Sequence, residues 1–409
     1  MNRVFYGWIV VAAAFAVMFV GFGAAYSFPA FFEPLRREFD ASRATVSLVF
    51  SLAAFLYFAL GAISGPLADR LGPRPVIGFG LAAVAAGMIA ASFADSLLTV
   101  LIAYSIGMGI GVGFSYVPAI ATVQHWFVAK RGQASGLAVM GIGLGTVVMP
   151  PVAALLIDSL SWRQAYLVLG IAAALLGALA VVALRPNPAS MGLRPDGAGM
   201  LPGGPVPTQS SGPPPGLTLA EALRHRRFWL LYLAFGLNCI GTFVPFVHLA
   251  AYAQDQGLSR EQGVWLVGLI GAGSMLGRFL LGPVADRVGR GPAFAAAMFG
   301  SGIMLATWPL ASDFIPLALF ALGFGLCYGG FVALSPAVTV DLFGARAASA
   351  VIGTLYTSVA FSTLVGPTLA GAAYDRFGSY LAPILVCAAT CVIGAGIVML
   401  MPRQRLYNP

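Results

Sequence analysis

The chain has 409 residues, 59% of them hydrophobic and 9% charged, with a mean hydropathy of +0.90. A soluble globular chain carries about 25% charged residues, so this composition excludes that class and identifies an integral membrane protein. The net charge of +8 comes mostly from Arg; in a membrane chain such charge sets topology, and nucleic acid is excluded as a partner.

The four cysteines, Cys239, Cys327, Cys387 and Cys391, all fall in apolar stretches, which suits buried thiols rather than a disulfide framework or a metal site. The N-terminal run after Arg3 is too long for a signal-peptide core and has no small-residue cleavage pattern, so it reads as an uncleaved first span.

Apolar windows divided by short polar segments give six spans near 7–32, 44–66, 76–94, 97–123, 134–158 and 162–184, each long enough to cross a bilayer. Six more follow near 228–254, 261–284, 292–311, 314–341, 348–373 and 379–402. The fold class expected is therefore all-α, twelve transmembrane helices in two six-helix bundles, residues 1–184 and 228–409. Residues 185–227 form the linker, whose Pro-, Gly- and Ser-rich middle has no apolar period and reads as flexible. At its end Thr218 precedes Glu221 at capping-box spacing, which predicts a short basic interfacial helix before span seven.

Basic residues accumulate on one face of this topology, including Arg70, Arg74, Arg131, Arg224, Arg227 and Arg287; on the other face Arg36, Arg37, Arg43, Arg163, Arg260 and Arg376 alternate with acids. The positive-inside rule then places both termini and the linker in the cytoplasm of a multi-pass protein of the inner (plasma) membrane.

The halves repeat one another. GPLADRLGPRP at 65–75 recurs as GPVADRVGRGP at 282–292, so Asp69 maps onto Asp286 with an offset of 217, and the same offset carries Gly136 to Gly353, Pro150 to Pro367 and Asp158 to Asp375. Two parallel repeats place a substrate site near the midplane, at the interface of the halves, and imply rocking of one half on the other.

After this division every Asp and Glu falls in a loop or at a span end, and Arg278 is the only fixed charge inside the membrane, with no carboxylate there to pair it. An unpaired guanidinium in hydrocarbon costs at least about 2.5–3.5 kcal/mol, and a small anion entering from water would offset that cost. The alternative is snorkelling, since the arginine lies only about four residues, roughly 6 Å, from the expected cytoplasmic end of its span. Ser274, Gly271 and Gly273 beside it make an open face. His248, after the kink expected at Pro245, is the intramembrane group that titrates near neutral pH, and with Tyr116 it is expected to hold a 2-hydroxy or keto oxygen of the substrate. Tyr116 and Tyr328 occupy corresponding places in the repeats and could present phenols to a carboxylate, with Tyr356, Tyr26 and Phe28 as further lining. The glycines at 107, 109, 111 and 113 lie inside a span and serve helix packing, not phosphate binding.

The repeated GPLADRLGPR element resembles the loop signature of the major facilitator superfamily, and as such implies gating roles for Asp69, Arg70, Arg74, Asp286 and Arg287; Arg131, at the cytoplasmic interface before span five, is a further gating candidate. Tyr6, Gly7 and Trp8 opening span one, with HWFVAKRGQASGLAVMGIGLG at 125–145, resemble the two signatures of the monocarboxylate transporter family with its bacterial lactate and oxalate/formate branches. That resemblance makes Arg278 the substrate-binding arginine. Where animal members carry a carboxylate and a lysine linked to proton coupling, this chain has Ser274 and Ala30.

The function expected is secondary transport of a short-chain monocarboxylate such as lactate or pyruvate, in symport with a proton, by a monomer without cofactor or metal. Exchange of anions is the alternative, and a membrane sensor on a transporter scaffold is the reading from another class. An enzyme is not expected, because the spans hold no nucleophile–base pair or carboxylate dyad.

Overall fold

The computed structural model describes residues 5–127, 130–196, 216–344 and 346–402, with the side chains of residues 62, 69, 131, 132, 286 and 349 excepted. The first half comprises α1 (Tyr6–Tyr26), α2 (Phe28–Glu38), α3 (Arg43–Leu71), α4 (Pro73–Ser92), α5 (Leu97–Trp126), α6 (Arg131–Ser159) and α7 (Trp162–Ala183). A short α8 (Leu219–Arg224) precedes the second half: α9 (Arg226–Thr242), α10 (Val244–Asp255), α11 (Arg260–Val288), α12 (Arg290–Thr307), α13 (Phe314–Phe343), α14 (Ala348–Phe377) and α15 (Leu381–Leu400). Among the described residues twelve helical stretches are long and apolar enough to cross a membrane. Span one is α1 plus α2 and span seven is α9 plus α10.

Both composite spans break at equivalent points. The interruptions at Ser27 and Phe243 lie two residues before Pro29 and Pro245, each in the first turn of the following helix. Proline has no amide to give a preceding turn and clashes with it. Only the second of these breaks is anticipated above. Several helices run past the predicted span ends, α13 to Phe343 and α14 to Phe377, because an α-helix satisfies its own backbone in water as in lipid and need not stop at the bilayer boundary.

Within the halves, small residues set the spacing of the helices. Gly87 of α4 and Gly107 of α5 face each other backbone to backbone, and Gly23 of α1 meets Gly145 of α6 in the same way. In the second half, Gly273 and Gly277 of α11 lie on the α13 backbone at Leu322 and Leu326, while Gly325 and Gly329 of α13 lie on the α11 backbone at Ile270 and Ser274. Such contacts supply van der Waals packing and weak Cα–H···O bonds where lipid offers no hydrophobic drive. Gly136 differs: it faces open space, and the close approach on α6 is made by Gly141 and Gly145.

The bundles meet along two seams, α3 against α14 and α6 against α11, with α2 touching α10. These pairs are antiparallel, so each seam runs from the face away from the linker toward the linker face. Along it come Arg43 with Asp375, Ser47 with His248, Phe55 with Phe361 and Phe58 with Tyr356. The other seam joins Asp158 to Arg260, Val147 to Gly268, Thr146 to Gly271 and Gly143 to Met275. Among the described residues every hydrogen bond and ion pair between bundles lies near the middle or on the face away from the linker.

The flanks of the linker are held. Asp196 accepts from the Lys130 amide at 2.9 Å, Leu217 donates to the Phe343 carbonyl at 2.8 Å, and a 3₁₀ turn spans Pro188–Met191. The expected interfacial helix is α8, and its Thr218–Glu221 capping box is complete. Thr218 holds the Glu221 carboxyl below its ordinary pKa through its amide and hydroxyl. The central residues 197–215, to which the expectation of flexibility applies, are outside the described residues.

Replacing Gly107 by Val should wedge α4 from α5, at the roughly 1–3 kcal/mol typical of overpacking, and lower the thermal midpoint of the detergent-purified protein. Gly136→Ala, with open space around it, should keep or raise that midpoint.

Candidate functional site

Arg278 lies on α11, half-buried. Its Nε and Nη1 are buried and, among the described residues, have no hydrogen-bond partner; no described carboxylate pairs with it. α11 continues to Val288, about 15 Å of helix beyond Arg278, so the arginine sits deeper in its helix than the expected boundary near 284 implied. Burial of two of the three nitrogens argues against a head group delivered to water.

The close contacts of α11 with α6 of the other bundle put this guanidinium at the junction of the bundles. It acts electrostatically on the phenols of Tyr26, Tyr116 and Tyr328, which arrive from α1, α5 and α13. Tyr26 and Tyr328 hydroxyls are 3.4 Å apart across the bundle interface. Around them the rings form a continuous wall: Phe22 meets Tyr26, Tyr57 and Tyr116, and Phe246 meets Tyr26 and Tyr328 with centroids at 4.9 and 5.3 Å. A cation set among phenols and aromatic faces can take a small anion with an apolar body: the guanidinium forks onto a carboxylate and the hydroxyls reach further oxygens.

Tyr57 is a member of this group that sequence reasoning missed. It is 4% exposed, stacks edge-on against Phe22 and carries a buried hydroxyl that, among the described residues, interacts with the Tyr26 phenol but makes no well-formed hydrogen bond. A tyrosine in an apolar span is a packing residue by default, and only the fold brings it beside Tyr26.

The other sequence candidates are distributed. Tyr356 bonds Ser335 at 3.2 Å on the linker side of the cluster, and Ser274 is buried against the glycines of α13. Phe28 is not in this wall: it packs inside the first bundle against Phe32, Phe50 and Tyr104, because the break at Ser27 turns it away from Tyr26. His248 is not brought to Arg278 either. It is fully buried where α10 meets α3 and α14, bonded to Tyr380, Pro367 and Ser47, so its expected hold on a substrate oxygen has no counterpart in this conformation.

Of the gating candidates, Arg70 and Arg287 are exposed on the linker face, and Arg74 donates to the Val181 carbonyl at 3.2 Å. The side chains of Asp69, Asp286 and Arg131 are outside the described residues.

The repeat, the two broken spans and the paired seams agree with one further observation: the Major Facilitator Superfamily model matches residues 13–278 and 237–408. The chain belongs to that superfamily. Its curated relatives include Monocarboxylate transporter 13 of Bos taurus, 28% identical over 401 residues (97% of this chain, 90% of the relative). Monocarboxylate transporter 11 of Homo sapiens is 29% identical over 407 residues (97% and 83%), and Monocarboxylate transporter 2 of Homo sapiens 28% over 420 (98% and 86%).

Among solved structures, a bacterial homolog of the human lysosomal transporter Spinster, crystallised inward-facing and occupied, superposes with a TM-score of 0.75 at 15% identity, covering 98% of this chain and 97% of its own. That likeness shows the fold. The superfamily and these relatives are transporters, so the chain is a transport protein and not an enzyme.

An unpaired buried charge destabilises its host, and an apolar residue of similar length removes the penalty. Arg278→Met should therefore raise the thermal midpoint of the ligand-free protein while removing any midpoint shift caused by small carboxylates. Both readings come from the same melting series.

Proposed function

We propose that the protein is a secondary transporter of short-chain monocarboxylate anions such as lactate or pyruvate, working by alternating access in symport with a proton. The observation that carries this reading is the Arg278 guanidinium, two of whose nitrogens are buried and unpaired among the described residues, within electrostatic reach of phenols contributed by both bundles. A carboxylate bound there neutralises the charge, so that rocking with anion aboard is cheaper than rocking with a bare cation. The names of the relatives support the substrate class.

In this reading Tyr116 and Tyr57 hold the 2-hydroxy or 2-oxo oxygen, and Phe22, Phe246 and Tyr356 limit the length of the apolar body. Residues 1–184 and 228–409 are the rocking units, both termini are cytoplasmic in the plasma membrane, and the linker face is the inner one. The repeated Asp69–Arg70 and Asp286–Arg287 elements serve as its gate.

One observation favours exchange without a proton. Among the described residues the group around Arg278 offers tyrosines but no carboxylate or imidazole, Ser274 standing where a carboxylate could have been. Uptake of labelled L-lactate into proteoliposomes separates the readings. An inward proton gradient should drive accumulation into empty vesicles, and Arg278→Ala should reduce it to background. Uptake only into vesicles preloaded with anion selects the exchanger. Tyr57→Phe, losing one hydrogen bond to a bound anion, should lower uptake about tenfold while leaving the fold at least as stable.

A further inference from the structure

The face away from the linker is shut at two contacts that the repeat relates to each other, an ion pair on one seam and a carboxylate on backbone amides on the other. Arg43, at the start of α3, reaches into the second bundle, and Arg260, 217 residues later at the start of α11, reaches into the first. Arg260 pairs with Asp158 and donates to the Ala30 carbonyl at 3.0 Å. On the equivalent seam Asp375, the repeat partner of Asp158, accepts from the backbone amides of Arg43 and Ala44 at 3.0 and 2.9 Å.

The symmetry stops at the Arg43 side chain. Its guanidinium holds both oxygens of Asp255, at 2.8 and 2.7 Å, lies over the Tyr374 ring at 3.9 Å, and donates to the Tyr380 hydroxyl at 2.8 Å. Tyr380 is in turn 2.9 Å from His248 Nδ1. On the other side of the imidazole, Nε2 is 2.8 Å from the Pro367 carbonyl and 3.1 Å from Ser47 Oγ.

Counting donors assigns the protons. A guanidinium can only donate, so the Tyr380 oxygen accepts from Arg43 and its single hydrogen is left for His248 Nδ1, which must carry a lone pair. The Pro367 carbonyl can only accept, so Nε2 bears the hydrogen. Ser47 donates to the Arg43 carbonyl at 2.6 Å and is free to accept from Nε2 as well. Every donor finds an acceptor when the imidazole is neutral.

A proton on Nδ1 would point at an oxygen already occupied by Arg43, strand the Tyr380 hydrogen and set a second buried cation beside the first. The other charged or titratable groups around the imidazole do not relieve this. Asp255, at the end of α10, is engaged by Arg43, and Asp375 of α14 by the two amides. Glu33 of α2 lies 3.8 Å from Arg43, Tyr374 of α14 lies under Arg43, Tyr252 of α10 bonds the Ala311 carbonyl, and Arg260 of α11 is turned to Asp158.

We propose that the Arg43–Tyr380–His248 network is the gate of the face away from the linker and that it closes only over a neutral His248. A proton taken by Nδ1 from the water on that face then holds the gate open, and its return to the same water lets the gate close. Acid on that side would expose the Arg278 site to the compartment where the protons are. This rests on the alternating-access reading above and not on the substrate.

The test uses no substrate, so its failure and that of the monocarboxylate reading are separable. Spin labels attached through Asp40→Cys and Gln256→Cys, both exposed and on opposite bundles, report the width of this face by pulsed electron paramagnetic resonance. The background carries Cys327→Ala, because the other native cysteines are buried. Between about pH 8 and about pH 5, the range over which histidine titrates, the distance distribution should move from short to long. In His248→Gln, whose amide can accept from Tyr380 and donate to Pro367 without binding a proton, the short distance should persist at both pH values. A shift that survives in His248→Gln would assign the response to the carboxylates and overturn the proposal, as would the absence of any shift in the parent.

Discussion

A guanidinium fixed in an apolar bundle, without a counter-charge among the described residues, is the constraint on which the rest depends. The desolvation of Arg278 is an energetic debt of several kcal/mol, and the helices around it are organised to hold it in place rather than to let it escape. The glycines of α11 and α13 lock those helices backbone to backbone, so Arg278 cannot tilt away as a mobile helix would allow. The phenols within its electrostatic reach come from both bundles. A ligand that satisfied the cation would therefore touch both moving parts at once, which is the physical meaning of a site at a repeat interface.

The second organising feature is the repeat itself. The offset of 217 that relates Asp158 to Asp375 also relates Arg260 to Arg43, and the structure turns these four residues into two seams that shut one face. Each pair joins the first turn of a helix in one bundle to the end of a helix in the other. Rocking must break or make both together. The extra partners of Arg43, namely Asp255, Tyr374, Tyr380 and through it His248, make one seam chemically richer than its twin.

Much of the fold was legible because its causes are local. Span length, the two ADR loops, the capping box at Thr218 and the kink at Pro245 depend on residues within a few positions of one another. The break at Ser27 has the same cause, with Pro29 standing within one position of the repeat equivalent of Pro245, and the repeat would have pointed to it. The membership of the site was less legible, because it is set by contacts far apart in the chain. Arg278 announced itself as a charge without a partner, whereas Tyr57 shares its composition with any packed tyrosine. Phe28 was expected in the apolar wall, and His248, the titratable group of its span, on a substrate oxygen. A turn of the helix at Ser27 removes the first, and bonds to Tyr380 and Pro367 hold the second at the gate. Arg43, counted as a loop residue, is 7% exposed, since its acids come from α10 and α14 rather than from its own neighbours.

If charge neutralisation at Arg278 is what the site provides, then the charge of the ligand must matter more than its shape. Calorimetric titration of the purified protein with pyruvate and with its neutral isostere pyruvamide isolates that one variable. Binding of pyruvate with pyruvamide weaker by about a hundredfold or more, the scale of a buried charge-assisted pair, is the expected result. Equal affinity for the two would mean that the guanidinium does not recognise the anion, and would contradict the assignment of Arg278 as the substrate site.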